Sequence, residues 1–185
     1  MKAKVNKVTI EVKQLSIFAL NVDAVAIGTS TNLVLSPEQL EIFGPEVQAE
    51  CTQIAWCDVG SAIITNGGQF KGANKVIHAV GPKWGDNSAR GKLGNATWHC
   101  LELAEENNQK TIALPALSVG ELGYPVENCA RIMLEKTIDF TFEKLKSLRH
   151  VIFYLRNENI MSAFIEEFER QLNNLRESGD GKVHV

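Results

Sequence analysis

The chain has 185 residues, and its 19 lysines and arginines against 22 aspartates and glutamates give a formal net charge of −3. With 44% hydrophobic and 22% charged residues, the composition is typical of a globular protein and excludes a disordered chain. The slightly acidic balance argues against a nucleic-acid-binding protein, because such proteins usually carry a basic excess.

Membrane spans and metal sites are not expected either. No apolar run approaches the roughly 20 residues that a membrane-spanning helix needs, and Lys7, Glu11 and Lys13 interrupt the segment in which a signal peptide would lie. The four cysteines form no C-x-x-C pair and have no histidine at metal-ligand spacing, which predicts buried, inert thiols and no metal. We therefore expect a single cytoplasmic domain over residues 1–177, followed by a flexible tail at 178–185.

Predicted strands and helices alternate along the chain. Segment 5–12 alternates apolar and polar residues, as in a half-exposed strand, whereas 22–27 is an apolar run, as in a buried strand. Ser36 with Gln39 three residues later predicts a helix start with a capping box. This alternation predicts a three-layer α/β domain. The remaining predicted elements are strands at 61–65, 75–80, 111–117 and 150–155, and helices at 93–107, 125–145 and 158–175.

The loop with the strongest chemical signal is SVGELGY at 118–124, between the buried strand 111–117 and a helix. Gly120 and Gly123 let main-chain amides approach a ligand closely, and the amino end of the next helix favours an anion. A diphosphate suits such a loop. The alternative is an ordinary strand-to-helix turn in which Gly123 serves conformation only, since isolated Gly-x-x-Gly turns are common.

Two further loops carry polar or aromatic residues. Gly28, Thr29 and Ser30 follow the strand 22–27 and can hydrogen-bond a sugar, although the same residue types are ordinary turn formers. His78 lies among apolar neighbours, which favours a core histidine over a catalytic one. The loop after it, 81–92, contains a tryptophan that either lines a pocket or covers the sheet edge. Spacing identifies no nucleophile and no acid–base pair, so the catalytic residues stay unknown and no cofactor is expected.

Three segments of the chain resemble a macrodomain, the family that binds ADP-ribose and related nucleotides. They are 22–25, 60–82 and 112–125, and the last is similar to the family's signature Pro-Ala-Ile-Ser-Thr-Gly-x-Tyr-Gly-Tyr-Pro. The resemblance covers residues 12–172 and implies a three-layer α/β/α fold with a mixed central sheet. It also implies that loop amides wrap the diphosphate and the distal ribose. The residues that match these positions are Ser118, Val119, Gly120, Glu121 and Leu122.

The first ligand loop departs from the family pattern. Ser30 stands where the family has the asparagine that contacts the distal ribose, and both the glycine run that should follow and the aspartate of hydrolytic members are missing. The family's adenine-reading aspartate aligns with Ser16, which can accept one hydrogen bond but brings no charge. Tyr154, at the end of the last strand, can stack on a base, with a buried strand aromatic as the alternative.

These features leave three functions open. We favour a protein that binds ADP-ribose or a related nucleotide diphosphate without efficient catalysis, because the first loop has lost its polar anchors. The second function is that of an ADP-ribosyl hydrolase or deacetylase, which acts on an ADP-ribosylated protein or an ADP-ribose ester. The third is a non-binding scaffold or homodimer, in which the apolar segment 33–43 covers the pocket or forms an interface. An open or filled cleft between 28–30 and 118–123 discriminates among them.

Overall fold

One eight-stranded mixed sheet organises the fold, with helices on both of its faces. The computed structural model describes all 185 residues. Its strands are β1 (Lys2–Val5), β2 (Val8–Gln14), β3 (Ala24–Gly28), β4 (Ala62–Asn66), β5 (Lys75–Ala79), β6 (Thr111–Leu114), β7 (His150–Leu155) and β8 (Val183–His184). Its helices are α1 (Pro37–Phe43), α2 (Pro45–Ile54), α3 (Ala89–Glu106), α4 (Val126–Phe140) and α5 (Glu158–Ser178), and a short 3₁₀ turn spans Ile17–Ala19.

The strand order determines where a ligand site can form. The order is β4-β5-β3-β6-β7-β2-β1-β8. The five strands from β5 to β2 are parallel, whereas β4, β1 and β8 pair antiparallel with their neighbours. Because parallel strands end at the same edge of the sheet, the loops after β3, β6, β7 and β2 meet there.

Two hydrophobic clusters cover the two faces of the sheet. The larger has 35 buried residues and includes Leu93 of α3, Ile132 of α4 and Phe164 of α5. The smaller has 14 buried residues and includes Phe43 of α1 and Val47 of α2. The predicted three-layer α/β/α architecture with a mixed sheet is confirmed. No helix is both long enough and apolar enough to cross a membrane.

The capping box at the start of α1 is present as predicted. Ser36 Oγ accepts a hydrogen bond from the amide of Gln39 at 3.1 Å, and Gln39 Oε1 accepts one from the amide of Ser36 at 3.1 Å. Gly44, at a φ of +88°, then separates α1 from α2. Few residues other than glycine adopt this conformation, so the chain can turn sharply between two helices that each begin with proline.

The two ends of the chain differ from the sequence-based expectations. The strand predicted at 5–12 is a hairpin of β1 and β2, which turns at Asn6 with a φ of +55°. Where a flexible tail was predicted, α5 continues to Ser178 and the chain then returns to pair β8 with β1. Asn6 explains both differences: it tolerates the turn conformation, and its main-chain amide donates to Lys182 O at 2.7 Å.

All four cysteines are free and buried, as predicted. Burial raises the pKa of the Cys51 thiol to about 11 and that of the Cys100 thiol to about 12. Both therefore stay protonated at neutral pH and are poor nucleophiles.

Candidate ligand-binding cleft

A cleft of about 1020 Å³ opens at the edge of the sheet where the parallel strands end. This volume suits a ligand the size of a nucleotide. The loops after β2, β3, β6 and β7 line it together with α1, so the cleft is open rather than filled. Its lining includes Ser16, Phe18, Gly28, Glu38, Gln39, Ile42, Phe43, Ser118, Val119, Gly120, Glu121, Leu122, Tyr154, Arg156 and Ile160.

The loop after β6 presents a row of unpaired main-chain donors. None of the five consecutive amides from Ser118 to Leu122 donates a hydrogen bond to another group of the protein. The loop is closed by bonds at its ends, from Gly123 N to Gly120 O and from Tyr124 N to Ser118 O, both at 2.9 Å. Successive free amides in a turn form a concavity that suits an anion. Gly123 itself does not line the cleft, and its φ of +71° completes the turn.

The loop after β5 supports this row of amides. The amide of Trp84 donates to Leu122 O at 2.9 Å, and its ring packs edge-on against Tyr124 with 5.0 Å between centroids. A Cβ at Gly81 would lie 2.2 Å from Ser118 Oγ, so glycine at this position lets the Ser118 hydroxyl keep its place. Trp84 is therefore a support for the loop and is not part of the cleft lining.

Ser118 combines an unusual backbone conformation with an unpaired hydroxyl group. Its φ is +65°, the residue is only 8% exposed, and Ser118 Oγ has no hydrogen-bond partner. A buried hydroxyl without a partner is unfavourable by about 1–3 kcal/mol. Because Ser118 lines the cleft, a ligand oxygen at this point would supply the missing partner.

The polar groups of the loop after β3 are mostly used within the protein. Gly28 lines the cleft, but its carbonyl accepts from Gln39 Nε2 at 2.8 Å. The amide of Thr29 donates to Ala79 O at 2.9 Å, and Ser30 Oγ donates to Asn32 Oδ1 at 2.7 Å. Thr29 Oγ1 has no hydrogen-bond partner, but neither Thr29 nor Ser30 lines the cleft. Only Gly28 of the three predicted sugar contacts reaches it.

The apolar segment 33–43 forms a wall of the cleft and does not plug it. Leu33, Leu35 and Phe43 are buried in the smaller hydrophobic cluster. Gln48 holds the segment in place, since its side chain accepts from Leu35 N at 2.8 Å and donates to Leu33 O at 3.2 Å. The sequence pattern allowed this segment to lie at the pocket, but which residues of α1 line the cleft depends on where the helix packs. The α1 residues that line the cleft are Glu38, Gln39, Ile42 and Phe43.

At the other end of the cleft, Ser16 and Tyr154 contribute to the lining, but their hydroxyl groups already form hydrogen bonds within the protein. Ser16 Oγ accepts from the amide of Phe18 at 3.3 Å and caps the 3₁₀ turn. The Tyr154 hydroxyl donates to Ala26 O at 2.7 Å, and burial raises the pKa of this phenol. Phe18, which sequence reasoning missed, is 73% exposed at the mouth of the cleft. This end offers aromatic surface and no carboxylate.

Few ionisable side chains line the cleft: the exposed residues Glu38, Glu121 and Arg156, besides the tyrosine. His78 is a core histidine, as predicted, with Thr65 Oγ1 at 2.9 Å from its Nε2. Burial lowers the pKa of His78 to about 4, so it is neutral at pH 7. No three His, Cys, Asp or Glu side chains are grouped as a metal site would require. Main-chain amides are thus the main means of attracting an anion.

Comparison with known proteins identifies the family. The Macro domain family model matches residues 40–133. A macro domain-containing protein of Caldanaerobacter subterraneus subsp. tengcongensis is 39% identical over 134 residues, which cover 69% of this chain and 76% of the relative. The chain belongs to the macrodomain family. The fold of this macrodomain matches that of a mutant Oceanobacillus iheyensis macrodomain with ADPR, at a TM-score of 0.87. The two are 25% identical, and the match covers 94% of this chain and 98% of the neighbour.

A second relative of this macrodomain carries the name of an enzyme. The O-acetyl-ADP-ribose deacetylase of Klebsiella pneumoniae is 35% identical over 127 residues, which cover 65% of this chain and 71% of the deacetylase. Together these similarities confirm the family resemblance that was based on the segments 22–25, 60–82 and 112–125.

Proposed function

We propose that this macrodomain binds ADP-ribose or a related nucleoside diphosphate in its open cleft, without efficient catalysis. The row of five unpaired amides from Ser118 to Leu122 carries this proposal. A diphosphate offers several acceptor oxygens at the spacing of successive amides, and amide-based binding needs no excess of basic residues. The structural neighbour described with ADPR supports the class of ligand.

The open cleft also favours binding over a purely structural role. A scaffold that had lost its ligand would be free to fill the pocket, yet about 1020 Å³ remains open. An ADP-ribose attached to another protein is a ligand of the same class. The four free cysteines suit a reducing compartment, so we place this activity in the cytoplasm.

A deacetylase or hydrolase is the second candidate, favoured by the Klebsiella relative. Such a reaction needs a group that positions or deprotonates water beside the distal ribose. Glu38 and Glu121 are the carboxylates that line the cleft, both exposed, and Ser30 lies outside it. We therefore expect slow turnover of O-acetyl-ADP-ribose or of a mono-ADP-ribosylated protein. Product release well above the uncatalysed rate, lost in Glu38→Gln or Glu121→Gln, would instead support the enzyme.

Titration calorimetry with ADP-ribose tests the binding proposal. We expect saturable binding by the wild type and a drop of about 100-fold or more in Gly120→Glu. The φ of +107° at Gly120 strains any side chain, and the new carboxylate would repel the diphosphate. Gly91→Glu is the matched control, because Gly91 is an exposed position of α3 with no atom within 4 Å of its Cβ position.

Two results would contradict the proposal. One is the absence of any binding heat for the folded wild type at millimolar ADP-ribose. The other is unchanged affinity in Gly120→Glu, with circular dichroism showing that wild type and both variants have the same fold.

A further inference from the structure

Arg156 places a cationic side chain beside the unpaired amides. It is the first residue after β7, it is exposed, and it lines the cleft. Its Nη2 atom lies 3.4 Å from the position that a Cβ would take at Gly120. The guanidinium group is therefore next to the middle of the amide row, although 36 positions along the chain separate the two residues.

This guanidinium has no partner within the protein. Arg156 forms no ion pair, in contrast to Arg90 and Arg170, which pair with Glu135 and Glu167. It also donates no side-chain hydrogen bond, in contrast to Arg149, which donates to the carbonyl of Leu148. All of its N–H donors are thus available at the cleft.

Arg156 is the only cationic side chain that lines the cleft. The other charged lining residues are Glu38 and Glu121, and neither is within ion-pair distance of it. Neutral amides can bind phosphate oxygens, but they do not balance the charge of a diphosphate beside two carboxylates. A guanidinium both balances charge and matches two phosphate oxygens with its planar pair of donors.

We infer that Arg156 contacts a phosphate group of the bound nucleotide, and that the cleft therefore selects its ligands by phosphate charge. This inference rests on the proposed function, since it assigns a residue to the same ligand. The distance to Gly120 favours a phosphate contact over stacking on the base, because Gly120 belongs to the amide row.

Affinities for adenosine, AMP and ADP, measured by NMR titration, test this inference. In the wild type we expect affinity to rise along the series. In Arg156→Gln we expect affinity for ADP to fall about 10-fold and affinity for adenosine to stay within about twofold. Arg176→Gln removes the same charge from an exposed residue of α5 that does not line the cleft, and should behave like the wild type.

Each other outcome has a definite meaning. Equal losses for adenosine and ADP in Arg156→Gln would show contact with the base and overturn the phosphate contact. Unchanged ADP affinity in Arg156→Gln would overturn any role for the residue in binding. If the wild type binds neither ADP nor ADP-ribose, the proposed function itself fails. If the wild type binds and Arg156→Gln binds equally well, only the role of Arg156 fails. A smaller loss in Arg156→Lys than in Arg156→Gln would support the importance of the charge.

Discussion

The loops after β6 and β3 end at the same edge of the sheet, yet they differ in what they offer a ligand. The loop after β6 contains apolar side chains such as Val119 and Leu122, but its amides are unpaired. The loop after β3 is rich in hydroxyl and amide side chains, but Ser30 donates to Asn32 and Gly28 O accepts from Gln39. The comparison teaches that binding capacity depends on unpaired donors and acceptors, and not on how polar a loop looks in sequence.

The loop after β3 has a different use, which is packing. Leu33 and Leu35 are buried in the smaller cluster, and Gln48 closes the segment with two hydrogen bonds. We expect substitutions there to change the free energy of unfolding and those near the loop after β6 to change ligand affinity. The following predictions test this division, from the largest expected effect to the smallest.

Leu33→Ala should lower the free energy of unfolding by about 2–5 kcal/mol, because it leaves a cavity at a fully buried side chain. The affinity for ADP-ribose should stay within about twofold. Urea denaturation and calorimetry measure the two quantities. Val34→Ala, at the exposed neighbouring residue, is the control and should change stability by no more than about 0.5 kcal/mol. A large loss of affinity in folded Leu33→Ala would break the division.

Low pH should decrease the free energy of unfolding through His78, a buried residue of β5 that contacts Cys51 of α2. Its pKa falls from 6.5 in the unfolded chain to about 4 in the fold. The stabilisation is therefore complete above pH 6.5 and is lost as the pH falls toward 4, by about 3 kcal/mol. Urea denaturation at pH 7 and pH 4 should show a smaller pH effect in His78→Gln than in the wild type. Parallel pH profiles of the two proteins would contradict this.

Gly81→Ala should act mainly on the loop after β6. The new Cβ would lie 2.2 Å from Ser118 Oγ, so either the Ser118 side chain must rotate or the loop must shift. We expect stability to fall by about 1–3 kcal/mol and ADP-ribose affinity by about 10-fold. Adding Ser118→Ala should restore stability and part of the affinity, since the Cβ of Ser118 lies an ordinary 3.5 Å from the new Cβ. The part of the affinity that comes from the Ser118 hydroxyl should stay lost. If the double variant is no better than Gly81→Ala, the effect does not pass through Ser118.

Ser30→Ala should have the smallest effect. The side chain is exposed, lies outside the cleft and bonds to Asn32. We expect ADP-ribose affinity within about twofold of the wild type and stability within about 0.5 kcal/mol. A loss of binding in calorimetry would mean that the loop after β3 still contacts the ligand.

Sequence alone determined the features that are encoded locally. The capping box of Ser36 and Gln39 depends on residues three positions apart, and the glycines of the 118–124 loop allow a backbone conformation that few other residues adopt. The burial of His78 follows from its apolar neighbours in β5. Such signals need no knowledge of strand order.

Only the tertiary structure decided which groups meet and which are left unpaired. Arg156 reaches Gly120 because β7 lies beside β6 in the sheet, and Phe18 reaches the cleft because β2 lies beside β7. The fold also paired the carbonyl of Gly28 with the side chain of Gln39 on α1 and placed β8 against β1. These pairings join residues through the order of the strands and the packing of helices, which local propensity and periodicity do not encode.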